Sequence, residues 1–291
     1  MCWEQSPVVN QETDQDALII DGDEISSRFW LGSSLYPSPQ IMSEAFQAST
    51  PGFITVSLRR QTAGDVKQNE YFQRVSAWLG ESVTRVLPNT SGCRTAKEAV
   101  QLATLARELF GSRWIKLEVT GDEYTLHPDP FELVIAAREL TDQGFRVLPY
   151  CTDDLMLCEA LLAAGCPAVM PWAAPIGTGK GLINPYQLRT LRARLPEAVM
   201  IIDAGLGRPS QALQAMEMGF DGVLLNTAVA RACDPVAMAS AFSEAVNAGR
   251  KAYRAGPVPE RDMASPTTPV AGLPFWQRYQ EHESVNKFRG K

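Results

Sequence analysis

The stretch VMIIDAGLGRPSQALQAMEMGFDGVLLNTA, residues 199–228, reads as strand, turn, helix and second strand in one short run. VMIIDAG (199–205) is apolar and ends at Asp203 and a glycine. PSQALQAMEMG (209–219) has proline near its start, helical apolar spacing and a glycine stop. GVLLNTA (222–228) is apolar again and ends at Asn226 and Thr227. The same grammar recurs upstream. The apolar runs are FWLGS (29–33), FITVSLR (53–59), TRVLPN (84–89), WIKLEV (114–119), RVLPYC (146–151) and AVMPW (168–172). Helical patterns lie between them. In TAKEAVQLATLARELFG (95–111), Thr95 is placed to cap the helix, Glu98 to complete a capping box and Gly111 to end it. PFELVIAARELTDQG (130–144) repeats the pattern.

Strand and helix alternating about eight times argue for parallel pairing, because a parallel strand needs a crossover helix. A single α/β domain of the (β/α)8 TIM barrel class is the economical solution at about 250 residues; a doubly wound open sheet is the alternative. The barrel is expected over residues 17–256. Residues 1–16 are expected to be a flexible N-terminal extension. Residues 257–291 are expected to be a tail, disordered or folded over a site as a lid.

The chain has 291 residues, 45% of them hydrophobic, enough for a large core, and a formal net charge of −6. That balance, with no Lys/Arg cluster, argues against nucleic-acid binding. The six cysteines (2, 93, 151, 158, 166 and 233) include no CxxC pair, and His127 and His282 are the two histidines. Neither a zinc site nor a secreted disulfide framework is indicated, and a serine–histidine triad has little material. The acidic start lacks the order of a signal peptide, and no apolar run approaches membrane length. A cytoplasmic protein with no membrane segment is expected.

WIKLEV carries the chemistry. Side chains two apart on a strand share a face. Trp114, Lys116 and Glu118 therefore point one way, and Ile115, Leu117 and Val119 the other. In a barrel the apolar set suits the helix layer and the charged set turns inward, toward the C-terminal mouth where such folds do chemistry. A half-exposed strand with its charges in water is the bland alternative. Other strands end at the same level in Asp203, in Asn226 and Thr227, and in Asn89, which favours a site. A lysine can condense with a carbonyl as an imine, but it must first lose a proton. With a reference pKa near 10.4, only roughly one in a few thousand is neutral at pH 7, a deficit of about 4–5 kcal/mol. Burial lowers that pKa and an ionised Glu118 or a phosphate raises it. The resolution expected here is that Glu118 exchanges protons with the substrate rather than pairing tightly with Lys116.

AAPIGTGKGLINP (173–185) carries Gly177, Gly179 and Gly181, and DAGLGRPS (203–210) carries Gly205 and Gly207. Glycine lets backbone approach a ligand and aim amides at an anion. Neither loop is a Walker motif, but barrels commonly hold phosphate between the loops after strands seven and eight.

MPWAAPIGTGKGLINP, IIDAGLGRPSQALQAMEMGFDGVLLNTAVARACDPVAMA, LPNTSGCRTAKEAV and IKLEV resemble the bacterial thiazole synthases of thiamine biosynthesis. The resemblance spans roughly residues 18–256 and extends to FWLGSSLYPS, SLRR, LPYCTDDLMLCEALLAAG and SPTTPVAGLPF. It implies an eight-unit barrel that makes thiazole phosphate from three inputs: 1-deoxy-D-xylulose 5-phosphate, a glycine-derived imine (dehydroglycine), and sulfur carried as a thiocarboxylate on a small ubiquitin-like sulfur carrier protein. By motif position it implies Lys116 as the imine-forming lysine and Glu118 and Asp203 as acid/base carboxylates. Gly177, Ala204, Gly205, Asn226 and Thr227 take the positions that hold the sugar phosphate. It implies no cofactor and no metal, and a homo-oligomer, tetramer or dimer. Ala173 and Thr178 stand where the family favours glycine or serine, and Cys93 where a small residue is usual, a packing substitution. Two other readings keep part of this pattern: a Schiff-base sugar-phosphate aldolase, and a non-catalytic barrel that binds a phosphometabolite.

Overall fold

The computed structural model describes residues 16–58 and 83–264. Residues 1–15, which make up nearly all of the N-terminal extension, lie outside the described residues. So do 59–82, with most of the SLRR segment, and the tail from residue 265. The chain divides into two compact units, Met1–Ala255 and Gly256–Lys291. The described part of the second, residues 256–264, contains no helix or strand.

A hairpin of β1 (Leu18–Ile20) and β2 (Asp23–Ile25) precedes the barrel strands. These are β3 (Phe29–Gly32), β4 (Phe53–Ser57), β5 (Arg85–Asn89), β6 (Trp114–Leu117), β7 (Arg146–Cys151), β8 (Met170–Pro171), β9 (Ile201–Asp203) and β10 (Gly222–Leu225). Each falls inside an apolar run anticipated from the sequence. Their order in the sheet is β8-β7-β6-β5-β4-β3-β10-β9, all parallel. Parallel bridges Val169–Met200 and Trp172–Asp203 join β8 to β9. The sheet thereby curls into a nearly closed TIM-type barrel, and the open doubly wound alternative falls away.

Strand alternation sorts the apolar side chains into two cores. Ile115, Leu117, Val119, Val147 and Ile202 face outward and pack with helix residues such as Leu133, Ala136 and Leu140. Trp30, Phe53, Leu87, Trp114, Leu148, Met170, Ile201 and Leu224 fill the interior. Within it Trp30 and Phe53 meet edge to face at 4.7 Å, and Phe53 and Trp114 at 5.3 Å. This aromatic floor is completed from below by Leu18, Ile20 and Ile25 of the hairpin. The hairpin turns on Asp21 (φ 49°) and Gly22 (φ 78°), the two left-handed positions a tight two-residue turn requires. Asp23 Oδ2 then pairs with Arg85 at 2.5 Å and with Arg146, and Asp21 Oδ2 pairs with Arg146 at 2.7 Å. The first residues of β5 and β7 thus hold the hairpin across the N-terminal mouth.

The helix signals hold locally. Thr95 caps Ala96–Phe110 by accepting from the Glu98 N–H, and Gly111 ends the helix at φ 63°. The Glu98 carboxylate reaches one residue beyond the cap, to the Arg94 N–H at 2.9 Å. Among the described residues no helix is long and apolar enough to cross a membrane.

Asp16 ties the start of the described chain to its last helix, Pro235–Ala255. Its carboxylate accepts from Arg250 Nη2 at 2.6 Å and Nε at 3.0 Å, and from Arg28 at 3.2 Å. Partial burial pushes its pKa up, but the Arg250 hydrogen bond and the neighbouring guanidinium charges more than offset this, and the net shift is downward. A depressed folded pKa stabilises fully above the ordinary aspartate value and loses that stabilisation as pH falls through the folded value. Asp16→Asn is expected to lower Tm at pH 7 by about 2–4 °C, the equivalent of about 1 kcal/mol in a domain this size. In thermal melts the gap to wild type should close as pH drops below the usual carboxylate range.

Candidate active site

The strand ends build a cavity of about 210 Å³ at the C-terminal mouth. Lys116, Glu118, Asp203, Gly177, Ala204, Gly205, Asn226 and Thr227, the residues singled out by sequence, all line it, and so does Asn89. The inward phase expected of WIKLEV is the one adopted, since Trp114 joins the interior core and Ile115, Leu117 and Val119 the helix layer.

Lys116 is 6% exposed, Glu118 8% and Asp203 1%. Asp203 ends β9 and reaches across the barrel to place Oδ2 2.6 Å from Lys116 Nζ, while Glu118 Oε1 lies 3.5 Å from the same nitrogen. The tight partner of the lysine is therefore Asp203, and Glu118 is the looser one. Burial alone would pull the Lys116 pKa down. The charges of Asp203 and then Glu118 outweigh it, and the net shift is upward. The resting amine is an ammonium. Burial pushes Asp203 up to about 6 in spite of the adjacent ammonium. A carboxyl with that affinity, in contact with Nζ, is placed to take the lysine's proton.

The glycine loops after β8 and β9 pack backbone on backbone. A side chain at Gly205 would put its Cβ 2.4 Å from the Ala174 nitrogen, and one at Gly207 would put it 2.6 Å from the Gly179 oxygen. The Gly181 N–H donates to the Gly205 oxygen at 2.8 Å. Ala204 (φ 66°) and Gly205 (φ 76°) are consecutive left-handed residues, and an alanine held there is a mark of functional constraint. The wall so formed presents main chain to the cavity, beside Asn226, whose Oδ1 has no hydrogen-bond partner among the described residues.

Two residues that the sequence reading passed over belong to this site. Thr90 follows β5 and is fully buried. Its N–H donates to the Lys116 oxygen at 3.1 Å. Its hydroxyl donates to the Glu118 oxygen and accepts from the Glu118 N–H, both at 2.8 Å. One side chain thus continues the β5–β6 ladder past its last paired residues and pins the backbone of both charged groups. Tyr150, on β7, faces inward with its ring centroid 5.6 Å from Lys116 Nζ. A threonine or tyrosine in an apolar run carries no sequence signal for either role. Cys93 is fully buried within the outer core, as a packing residue.

The sequence matches the family description "Thiazole biosynthesis protein ThiG" over residues 19–269. It is 54% identical over 270 residues to the thiazole synthase of Cupriavidus metallidurans, covering 91% of this chain and 95% of that one. It is 56% identical over 261 residues to the thiazole synthase of Ralstonia pickettii, covering 90% and 94%. Among solved structures, a chain of the Amycolatopsis orientalis BexX/CysO complex superposes with a TM-score of 0.73 at 30% identity, over 84% of this chain and 98% of that one.

Thr90→Val keeps the shape of the side chain but leaves a buried N–H and carbonyl of Glu118 unpaired. Urea denaturation should show a loss of about 1–3 kcal/mol. Thr90→Ser keeps the hydroxyl and should lose much less.

Proposed function

The chain belongs to the thiazole biosynthesis protein ThiG family, and on that premise we propose how its residues carry out the thiazole synthase reaction. Family membership favours that reaction over the aldolase and non-catalytic readings. One observation carries the residue assignment: a buried lysine amine in contact with a carboxylate of raised pKa, in one cavity with two glycine loops.

The sugar substrate is 1-deoxy-D-xylulose 5-phosphate. Its phosphate lies against the main chain at Gly177, Ala204 and Gly205, with Asn226 and Thr227 alongside. Lys116 attacks the ketone after Asp203 takes its proton, and loss of water leaves the imine. The imine acidifies the adjacent C–H bond, and Glu118 removes that proton, allowing the carbonyl to move one carbon along the chain. The migrated carbonyl accepts sulfur. A sulfur carrier protein with a C-terminal thiocarboxylate is the donor; a chain similar to this one occurs in a complex with a second protein, CysO, which supports a protein partner at this barrel. Dehydroglycine then supplies the nitrogen and the remaining carbon of the ring, and the two carboxylates serve the successive dehydrations. Assembly as a homo-oligomer is part of the proposal.

Borohydride with the pentulose phosphate is expected to attach the sugar to the peptide containing Lys116, and Lys116→Ala should abolish both the adduct and thiazole formation. An adduct that persists in Lys116→Ala would refute the assignment. Turnover assayed with and without thiocarboxylated carrier tests the sulfur source, since an aldolase would not consume it. Asp203→Asn removes the charge that holds the Lys116 pKa up. Its amine should be neutral at lower pH, and the pH below which borohydride trapping fails should fall. Thiazole output should nevertheless drop by at least about tenfold, because the proton-accepting carboxylate is gone.

A further inference from the structure

Beside the cavity of Lys116 and the glycine loops lies a second, of about 400 Å³, walled by the segments after β5 and β6 and by Tyr150. The two share Ser57, Ser91, Glu118 and Ile176. Tyr150 lines the second cavity from β7, the strand between that of Lys116 and the one that leads into the first glycine loop. It is 2% exposed, and its hydroxyl has no hydrogen-bond partner among the described residues. A buried hydroxyl without a partner costs about 1–3 kcal/mol, so a place for it in the fold calls for an account. The ring is held by packing, with Trp172 edge-on at 6.5 Å, and Trp172 is itself anchored by its Nε1–H to Asp153 at 2.9 Å. Burial and then the charges of Asp203 and Glu118 push the phenol's pKa far above its usual value, so the group keeps its proton and acts as a neutral donor.

We propose that the Tyr150 hydroxyl donates a hydrogen bond to the substrate oxygen on the carbon next to the one bound to Lys116, and stabilises the charge that develops there when sulfur attacks from the second cavity. This rests on the Lys116 reading above. The carbon that Lys116 captures is bonded to Nζ, so the neighbouring carbon is two bonds and its oxygen three bonds from a nitrogen that lies 5.6 Å from the centre of the Tyr150 ring. In the step itself, the thiocarboxylate sulfur uses an electron pair to form the C–S bond, and the carbonyl π pair moves onto oxygen. That oxygen is held by the Tyr150 O–H and is then protonated from Glu118, which returned the sugar carbon's proton to the former imine carbon and took up the enol hydroxyl's proton as the carbonyl formed. No oxidant or reductant is involved. A donor aimed at an oxygen that becomes anionic acts on the transition state more than on the bound ketone.

The test compares wild type with Tyr150→Phe, which deletes only the hydroxyl. The expected result is a kcat lowered about 100-fold, KM for the sugar phosphate within about threefold, and borohydride trapping of the Lys116 imine at the wild-type level. Tm should be equal or higher, since an unpartnered polar group has been removed. A kcat within twofold of wild type would overturn the proposal, and so would a lower Tm with loss of trapping, the signature of a structural hydroxyl. Difluorotyrosine at 150 provides a second check, because it keeps ring and hydroxyl while strengthening the donor. The single-turnover rate of carrier consumption should shift with it, and an unchanged rate counts against the contact. Failure of the wild type to form the imine would instead overturn the Lys116 reading. Trapped imine with normal turnover in Tyr150→Phe overturns the role of the hydroxyl alone.

Discussion

The 2.6 Å contact between Lys116 and Asp203 is the constraint around which the barrel is arranged. An unpaired ion in a protein interior is prohibitive, and a pair survives there only when its partners are held in close geometry. The fold supplies that geometry by bringing the end of β9 across the mouth to β6. Below the pair, Trp30, Phe53 and Trp114 shut out water. Above it, the cavity leaves room for a substrate. The same desolvation that makes the pair expensive raises Asp203 to about 6 and so gives the ammonium a nearby base. Burial by itself does not produce a neutral lysine, because the two carboxylates outweigh it. The amine becomes a nucleophile by handing its proton to a neighbour.

That arrangement explains features which would otherwise look incidental. The hairpin Leu18–Ile25 closes the N-terminal mouth with apolar side chains and is clamped by Arg85 and Arg146. Without such a plug, water would reach the aromatic floor from below. Thr90 holds the backbone of Lys116 and Glu118 where the β5–β6 ladder has few paired residues. Gly205 and Gly207 let two loops touch main chain to main chain, so the wall opposite the lysine offers backbone to a ligand.

Much of this was legible beforehand. The eight apolar runs each became a barrel strand, and the period-two alternation of WIKLEV correctly turned Lys116 and Glu118 inward, because side-chain direction along a strand is a local property. The helix at Thr95 began and ended as its cap residues indicated, again from contacts within a few residues. The hairpin was missed although Asp21–Gly22 between apolar residues is a turn signal; its strands are three residues long and show little alternation. Thr90 and Tyr150 were missed for another reason. Their importance lies in which groups they meet, and neither residue type announces a partner.

Local chain chemistry therefore determined the strand–helix repeat, the facing of the charged pair, the glycine loops and, through extended motifs, the family. Tertiary structure alone decided that Asp203 rather than Glu118 would be the close partner of Lys116, that the amine would rest charged, and that a tyrosine hydroxyl beside it would find no partner among the described residues. The physical reason is that charge and hydrogen-bond energies depend on distances of a few ångströms between strands far apart in sequence. Those distances are set by how the sheet curls and closes.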